Sequence, residues 1–113
     1  MLSLREKIEQ FYYHAHQKDL TSLMAFYSFP ITYYSRKNVS YEEVKNIYLK
    51  SWNRKIYSKN TILDLFKIND FECTVKVRYI WQNKDGTGGE VESQINFKFN
   101  EDYKLISQTP IKN

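Results

Sequence analysis

Residues 71 to 82 read Phe71-Glu72-Cys73-Thr74-Val75-Lys76-Val77-Arg78-Tyr79-Ile80-Trp81-Gln82. The odd positions are all apolar, and of the even ones only Ile80 is not polar or charged. Side chains on a strand point alternately to its two faces, so this period of two predicts a half-buried strand of an antiparallel sheet. Val91, Ser93, Ile95, Phe97 and Phe99 repeat the pattern against Glu90, Glu92, Gln94, Asn96 and Lys98. The connection between them, Asn83-Lys84-Asp85-Gly86-Thr87-Gly88-Gly89, has the composition of a hairpin. An earlier strand over 57 to 68 and a last one over 103 to 108 complete a four-stranded meander.

Upstream the period is 3.6. Ser3 followed by Glu6 has the form of a capping box, and Leu4, Ile8, Phe11, Tyr12 and Ala15 recur at helical spacing, so residues 3 to 17 read as an amphipathic helix. Asp19 is an N-cap for a second helix over 19 to 28, with Leu20, Leu23, Met24 and Tyr27 as its stripe and Pro30 ending it. Residues 31 to 35 form a short β-prone run before the polar turn Arg36-Lys37-Asn38. Ser40 and Glu43 make a second capping box. The helix it opens, over 40 to 55, carries the stripe Val44, Ile47, Tyr48, Ser51 and Trp52, which places Trp52 toward the sheet. The architecture expected is α+β, in the order α-α-β-α-β-β-β-β, with three helices covering the apolar face of a curved, mostly antiparallel sheet.

The chain has 113 residues, enough for one domain over 1 to 113 and one core, which hides about two thirds of the unfolded surface. Aromatic residues reach 17%, enough to fill a core and line a cavity besides. The net charge of +4 is concentrated: seven basic residues between Arg36 and Lys59 face only Glu42 and Glu43. Lys50, Arg54 and Lys55 are its candidate binding surface. A charged helix face is commonly just solvated, and without paired stacking aromatics it implies no nucleic-acid binding beyond the non-specific. A lone cysteine, Cys73, excludes an internal disulfide and a multi-cysteine metal site, and no metal or cofactor is implied. No apolar run approaches the length of a membrane span, so no membrane insertion is expected. The expected location is the cytoplasm for a complete chain, or the cell envelope for a fragment of an exported protein.

The order of elements resembles the nuclear transport factor 2-like superfamily, also called the cystatin-like fold. The resemblance rests on Lys18-Asp19-Leu20 with Leu23 and Phe26-Tyr27, on Tyr33-Tyr34, on Val39-Ser40-Tyr41-Glu42-Glu43-Val44, and on Trp52-Asn53-Arg54. The last three are similar to a bacterial subgroup of accessory domains found at the ends of larger envelope or signalling proteins, although Asn53 stands where that subgroup has Pro. Enzymes of the superfamily, such as ketosteroid isomerase and the polyketide cyclases, transfer protons with Asp, Tyr or His facing the cone's interior. The resemblance puts Tyr34 and Ile95 where the isomerase has its carboxylates, and neither residue does that work at neutral pH. Many relatives pair two sheets face to face. Here that face reads Glu72, Thr74, Lys76, Arg78, Glu92, Gln94, Asn96 and Lys98, which implies a monomer or a weak dimer.

The candidate acid/base groups are His16, Tyr34 and Asp64. His14 and His16 lie about 200° apart on a helix and cannot share one metal ion. His16 is either a neutral, hydrogen-bonded ring at the stripe's edge or a pocket-lining acid or base. Asp64, flanked by Ile62-Leu63 and Leu65-Phe66, is either a solvated edge carboxylate or a cavity group. Tyr12, Tyr27, Tyr33, Trp52, Tyr79, Trp81 and Phe97 are the candidate pocket walls, because buried Tyr and Trp need partners for their polar atoms. Two functional classes follow. One is a non-catalytic module binding a small apolar or peptide-like ligand, or a protein partner. The other is a small cofactor-free acid/base enzyme; an assembly component of an envelope or secretion complex is a third reading by analogy of fold.

Overall fold

The computed structural model describes residues 3–111. Helix α1 (Leu4–His16) starts at a complete capping box: the Ser3 side chain accepts from the Glu6 N–H, and the Glu6 carboxylate accepts from the Ser3 N–H. Ser40 and Glu43 do the same for α3 (Tyr41–Arg54). Asp19 caps the short helix α2 (Leu20–Met24). Each box satisfies N–H groups that a helix start leaves without intrahelical partners.

The remaining chain forms β1 (Tyr27–Tyr33), β2 (Arg36–Val39), β3 (Lys55–Asn69), β4 (Glu72–Asn83), β5 (Gly88–Phe99) and β6 (Leu105–Pro110), in one sheet of order β2-β1-β6-β5-β4-β3. The meander expected from the alternating pattern is present, and β6 then joins β1 in the sheet's one parallel pairing. The inner face is filled by Cys73, Val75, Val77, Ile95, Phe97 and Leu105 against Ile8, Phe11, Leu23 and Val44. Phe11 is the hub of this core, with edge-to-face contacts to Tyr12, Phe26, Tyr27 and Phe97 at centroid distances of 5.3 to 5.9 Å. On the outer face Arg78 reaches Glu90 and Lys76 reaches Glu92 across the strands.

Two local expectations are corrected. The second helix ends at Met24 and not near residue 28, and Tyr27 and Pro30 belong to a strand. The parallel partner outweighs the helical stripe, because Leu105 donates to the Phe26 carbonyl (2.6 Å) and Tyr34 to the Gln108 carbonyl (2.7 Å). The β1–β6 register breaks between Tyr27 and Thr32, the stretch in which Pro30 has no N–H to offer. The supposed turn Arg36-Lys37-Asn38 is strand β2, and the reversal is made one step earlier at Tyr34-Ser35, where Tyr34 has φ of +57°. As an edge strand with three exposed polar residues and only Val39 buried, β2 carries no apolar alternation to read.

The glycines of the hairpin are also placed differently: Gly88 and Gly89 lie in β5, and Gly89 pairs with Trp81. A Cβ on Gly89 would come within 2.8 Å of two Trp81 ring carbons, so the indole lies flat over the glycine. That ring also stacks on Tyr79, 5.5 Å away at 17°. Gly89→Ala is therefore expected to cost about 1 to 3 kcal/mol in chemical denaturation, as overpacking does. In a Trp81→Ala background the same change should be neutral or stabilising. Equal costs in both backgrounds would show that the ring does not need the space.

Candidate functional site

A cavity of about 470 Å³ opens between the sheet, α1 and α3. Helix α1 contributes Phe11, Tyr12, Ala15 and His16, and α3 contributes Ile47, Tyr48, Ser51 and Trp52. Tyr33, Tyr34, Val77, Tyr79, Val91, Ile95, Gln108 and Pro110 form its sheet side, while Lys55, Ser58, Lys59 and Asn60 enter from the start of β3. Of the pocket residues suggested by the sequence, Tyr12, Tyr33, Trp52 and Tyr79 line this space. Tyr27, Phe97 and Trp81 do not. Phe97 is wholly buried core beneath Phe11 and Tyr12, and Trp81 sits over Gly89 at the far end of the hairpin. Tyr27 stands one layer behind the wall. Trp52 is half-buried, tilted against Tyr48 at 5.6 Å, and faces the cavity instead of being sealed against the sheet.

The polar atoms of the deep wall form a chain. The Tyr27 hydroxyl donates to Gln108 Oε1 (2.8 Å) and lies 2.8 Å from the Tyr48 hydroxyl. Tyr48 in turn meets Tyr33, and Tyr34 meets Gln108. Burial pushes the Tyr27, Tyr33, Tyr48 and Tyr12 phenols well above their ordinary value, and neighbouring tyrosines add to the rise. Tyr34 is 40% exposed as a residue, yet its hydroxyl is desolvated and its pKa raised, with the Gln108 contact opposing. Burial also raises the Tyr79 phenol, against hydrogen bonds to Ser58 and Ser51. All these hydroxyls stay protonated at neutral pH; Tyr27 gives its hydrogen to Gln108, and Tyr48 therefore gives its own to Tyr27.

His16 lies at the wall. Its Nδ1 is 2.9 Å from the Ser58 carbonyl oxygen, which can only accept, so Nδ1 carries a hydrogen, and whenever the ring is neutral Nε2 is the acceptor. His14 points elsewhere, 3.7 Å from Asp19. Asp64 is not in the cavity; it sits at a register break of the edge strand β3 and accepts from the Leu65 N–H (2.9 Å). Among the described residues no Asp or Glu lines the cavity. The three basic residues diverge: Lys50 and Arg54 are exposed on α3, while Lys55 is half-buried and lines the cavity, its Nζ donating to Ser51 Oγ (2.8 Å). The missed wall residues, Tyr48 and Gln108 above all, carried a weak signal. Tyr48 read as helix stripe, and nothing local marks Gln108 as a buried acceptor. Among the described residues no group of three His, Cys, Asp or Glu could hold a metal ion, and no helix is long and apolar enough to cross a membrane.

The shielded phenols make stability depend on alkaline pH in a definite direction. Unfolded tyrosines ionise near pH 10, whereas Tyr27 and Tyr33 in the fold keep their protons. The unfolded state therefore binds fewer protons above that pH, and stability, complete below it, falls as pH rises. Each fully shielded phenol contributes up to about 1.4 kcal/mol per pH unit. The buried Cys73 thiol, pushed up to about 11, acts in the same direction. Urea unfolding between pH 8 and 11 should show a level followed by a fall, and stability constant through pH 11 would contradict the shielding.

No protein-family model matches this sequence, and no curated protein matches it. Solved structures do match. The Δ5-3-ketosteroid isomerase of Mycobacterium sp. superposes with a TM-score of 0.87 at 9% identity, over 99% of this chain and 95% of that one. A Mycobacterium tuberculosis protein solved in complex with estradiol-17β-hemisuccinate gives 0.82 at 10% identity, over 93% and 89%. A nuclear transport factor 2-like protein of unknown function from Exiguobacterium sp. 255-15 gives 0.81 at 10% identity, over 94% and 97%. Identity this low speaks for architecture alone: the chain has the nuclear transport factor 2-like fold.

Proposed function

We propose that the protein is a non-catalytic binding module whose cavity takes a small, mainly apolar ligand bearing an oxygen that accepts hydrogen bonds. The observation that carries this reading is the composition of the wall: aromatic rings enclosing about 470 Å³, phenols held in their protonated form, and no carboxylate. Aromatic and aliphatic walls favour an apolar body, and a few converging donors fix its orientation. The same fold holds a steroid ester in the M. tuberculosis neighbour.

A second reading has one observation in its favour. His16, with Nδ1 occupied by the Ser58 carbonyl, presents Nε2 as a potential base at the wall. Paired with a protonated Tyr34, it could move a proton on a carbonyl substrate, and the fold serves an isomerase in Mycobacterium sp.. The binding reading is preferred because, among the described residues, the wall holds one imidazole and no Asp or Glu.

The neutral fluorophore N-phenyl-1-naphthylamine tests the cavity. It should bind at one saturable site with a dissociation constant on the order of 10⁻⁵ M, from the usual free energy per heavy atom. Val91 lines the cavity and is 47% exposed, so Val91→Trp should be tolerated while filling the space, and should weaken binding at least tenfold. Unchanged binding in that variant would place the probe elsewhere and remove the support for a cavity site. Under the enzymatic reading, His16→Gln would abolish exchange of α-protons of an added cyclic ketone into deuterated water. Absence of such exchange in the unaltered protein is the outcome the binding reading expects.

A further inference from the structure

We propose that the cavity selects an anionic ligand: a mainly apolar body carrying one negatively charged group, which lodges against the Lys55 ammonium. This rests on the binding reading above and adds the ligand's charge and the residue that anchors it.

Lys55 stands where α3 ends and β3 begins, and the turn of the chain there directs its side chain to the cavity wall. Its Nζ donates to Ser51 Oγ at 2.8 Å. An ammonium has three donors, and among the described residues this is the only partner Nζ has; no carboxylate lies within ion-pairing distance. Lys50, Arg54 and Lys59 also have no ion-pair partner among the described residues, but they are exposed, whereas Lys55 is half-buried. Six other cations are paired. Arg5, Lys67, Lys76 and Arg78 pair with Glu9, Asp70, Glu92 and Glu90, Arg36 with Glu43, and Lys104 donates to the Ala25 carbonyl.

The attraction of a helix C-terminus for positive charge would explain a lysine at this position, but not where its ammonium goes. Nζ meets the Ser51 hydroxyl, one turn back on the cavity side, and no carbonyl of the last turn. Burial disfavours the charged form of Lys55 and the neighbouring Arg54 disfavours it further, so an anion within reach would relieve both effects. Lys59 lines the same part of the wall, and with no Asp or Glu among the lining residues nothing there would repel a negative group. An anion on Lys55 Nζ gains a charge-assisted hydrogen bond, while the aromatic rings take the apolar remainder.

Two probes with one aromatic skeleton isolate the charge: 8-anilinonaphthalene-1-sulfonate, and the uncharged N-phenyl-1-naphthylamine. Lys55→Met should weaken the sulfonate about tenfold or more, the scale of one lost charge-assisted hydrogen bond, and change the neutral probe less than threefold. Lys55→Arg should keep the sulfonate's affinity within about threefold, since it restores the charge. Lys98→Met, an exposed residue of β5 that does not line the cavity, should alter neither probe. Retained binding of the neutral probe shows that the Lys55→Met cavity is intact. Equal effects on both probes, or sulfonate binding that ignores Lys55, would overturn the anionic assignment and leave the binding module standing. Failure of both probes to bind the unaltered protein would overturn the two together.

Discussion

The sheet's curvature is the constraint from which the site follows. Strand β3 has 15 residues and β4 and β5 have 12 each, whereas the helices that cover them have 13, 5 and 14. A strand rises more than twice as far per residue as a helix, so short helices cannot cover long straight strands. Register breaks in β3 at residues 55–57, 62–64 and 67–69, and in the β5–β6 pairing at 98–99, bend and twist the sheet around the helices. With α2 reduced to five residues, packing closes around Leu23 and Phe97 at one end. The other end, between Trp52 and Tyr79, stays open as the cavity.

That geometry decides the chemistry of the walls. Tyr27 of β1 and Tyr48 of α3 meet hydroxyl to hydroxyl, and Gln108 from β6 supplies an acceptor for Tyr27. A buried phenol without a partner would cost free energy, so the chain of hydroxyls ties α3 to β1 and β6. Carboxylates are kept away from this wall: Asp19 and Asp85 are engaged in capping and turn hydrogen bonds, which lower their pKa, and Asp64 lies at the outer edge. The result is a wall that combines phenols with the His16 ring and the Lys55 and Lys59 side chains, and among the described residues no Asp or Glu lines it.

Much of the fold was legible in local pattern because its signals are local. The Ser3/Glu6 and Ser40/Glu43 boxes begin α1 and α3 where expected, and the alternation in residues 71 to 82 and 91 to 99 marks the two central strands. The misreading around residues 25 to 39 has one origin. The β1–β6 pairing joins residues about 75 apart in the chain, as Tyr27 and Leu105 or Tyr33 and Gln108 do, and it overrides both the helical stripe ending at Tyr27 and the turn-like polarity of Arg36-Lys37-Asn38.

The site divides in the same way. Residue type and period alone marked an aromatic surplus and a basic stretch between Arg36 and Lys59, because composition and face are properties of neighbours in sequence. Only the tertiary structure decided that Tyr12, Tyr33, Trp52 and Tyr79 face open space while Phe97 is sealed, and that His16 is anchored to Ser58, 42 residues away. It also decided that Lys55 leaves the solvated basic face shared by Lys50 and Arg54 and turns to the cavity. The physical reason is that a cavity is made by what packing leaves unfilled. That depends on how strands and helices distant in sequence fit together, and no stretch of local pattern contains it.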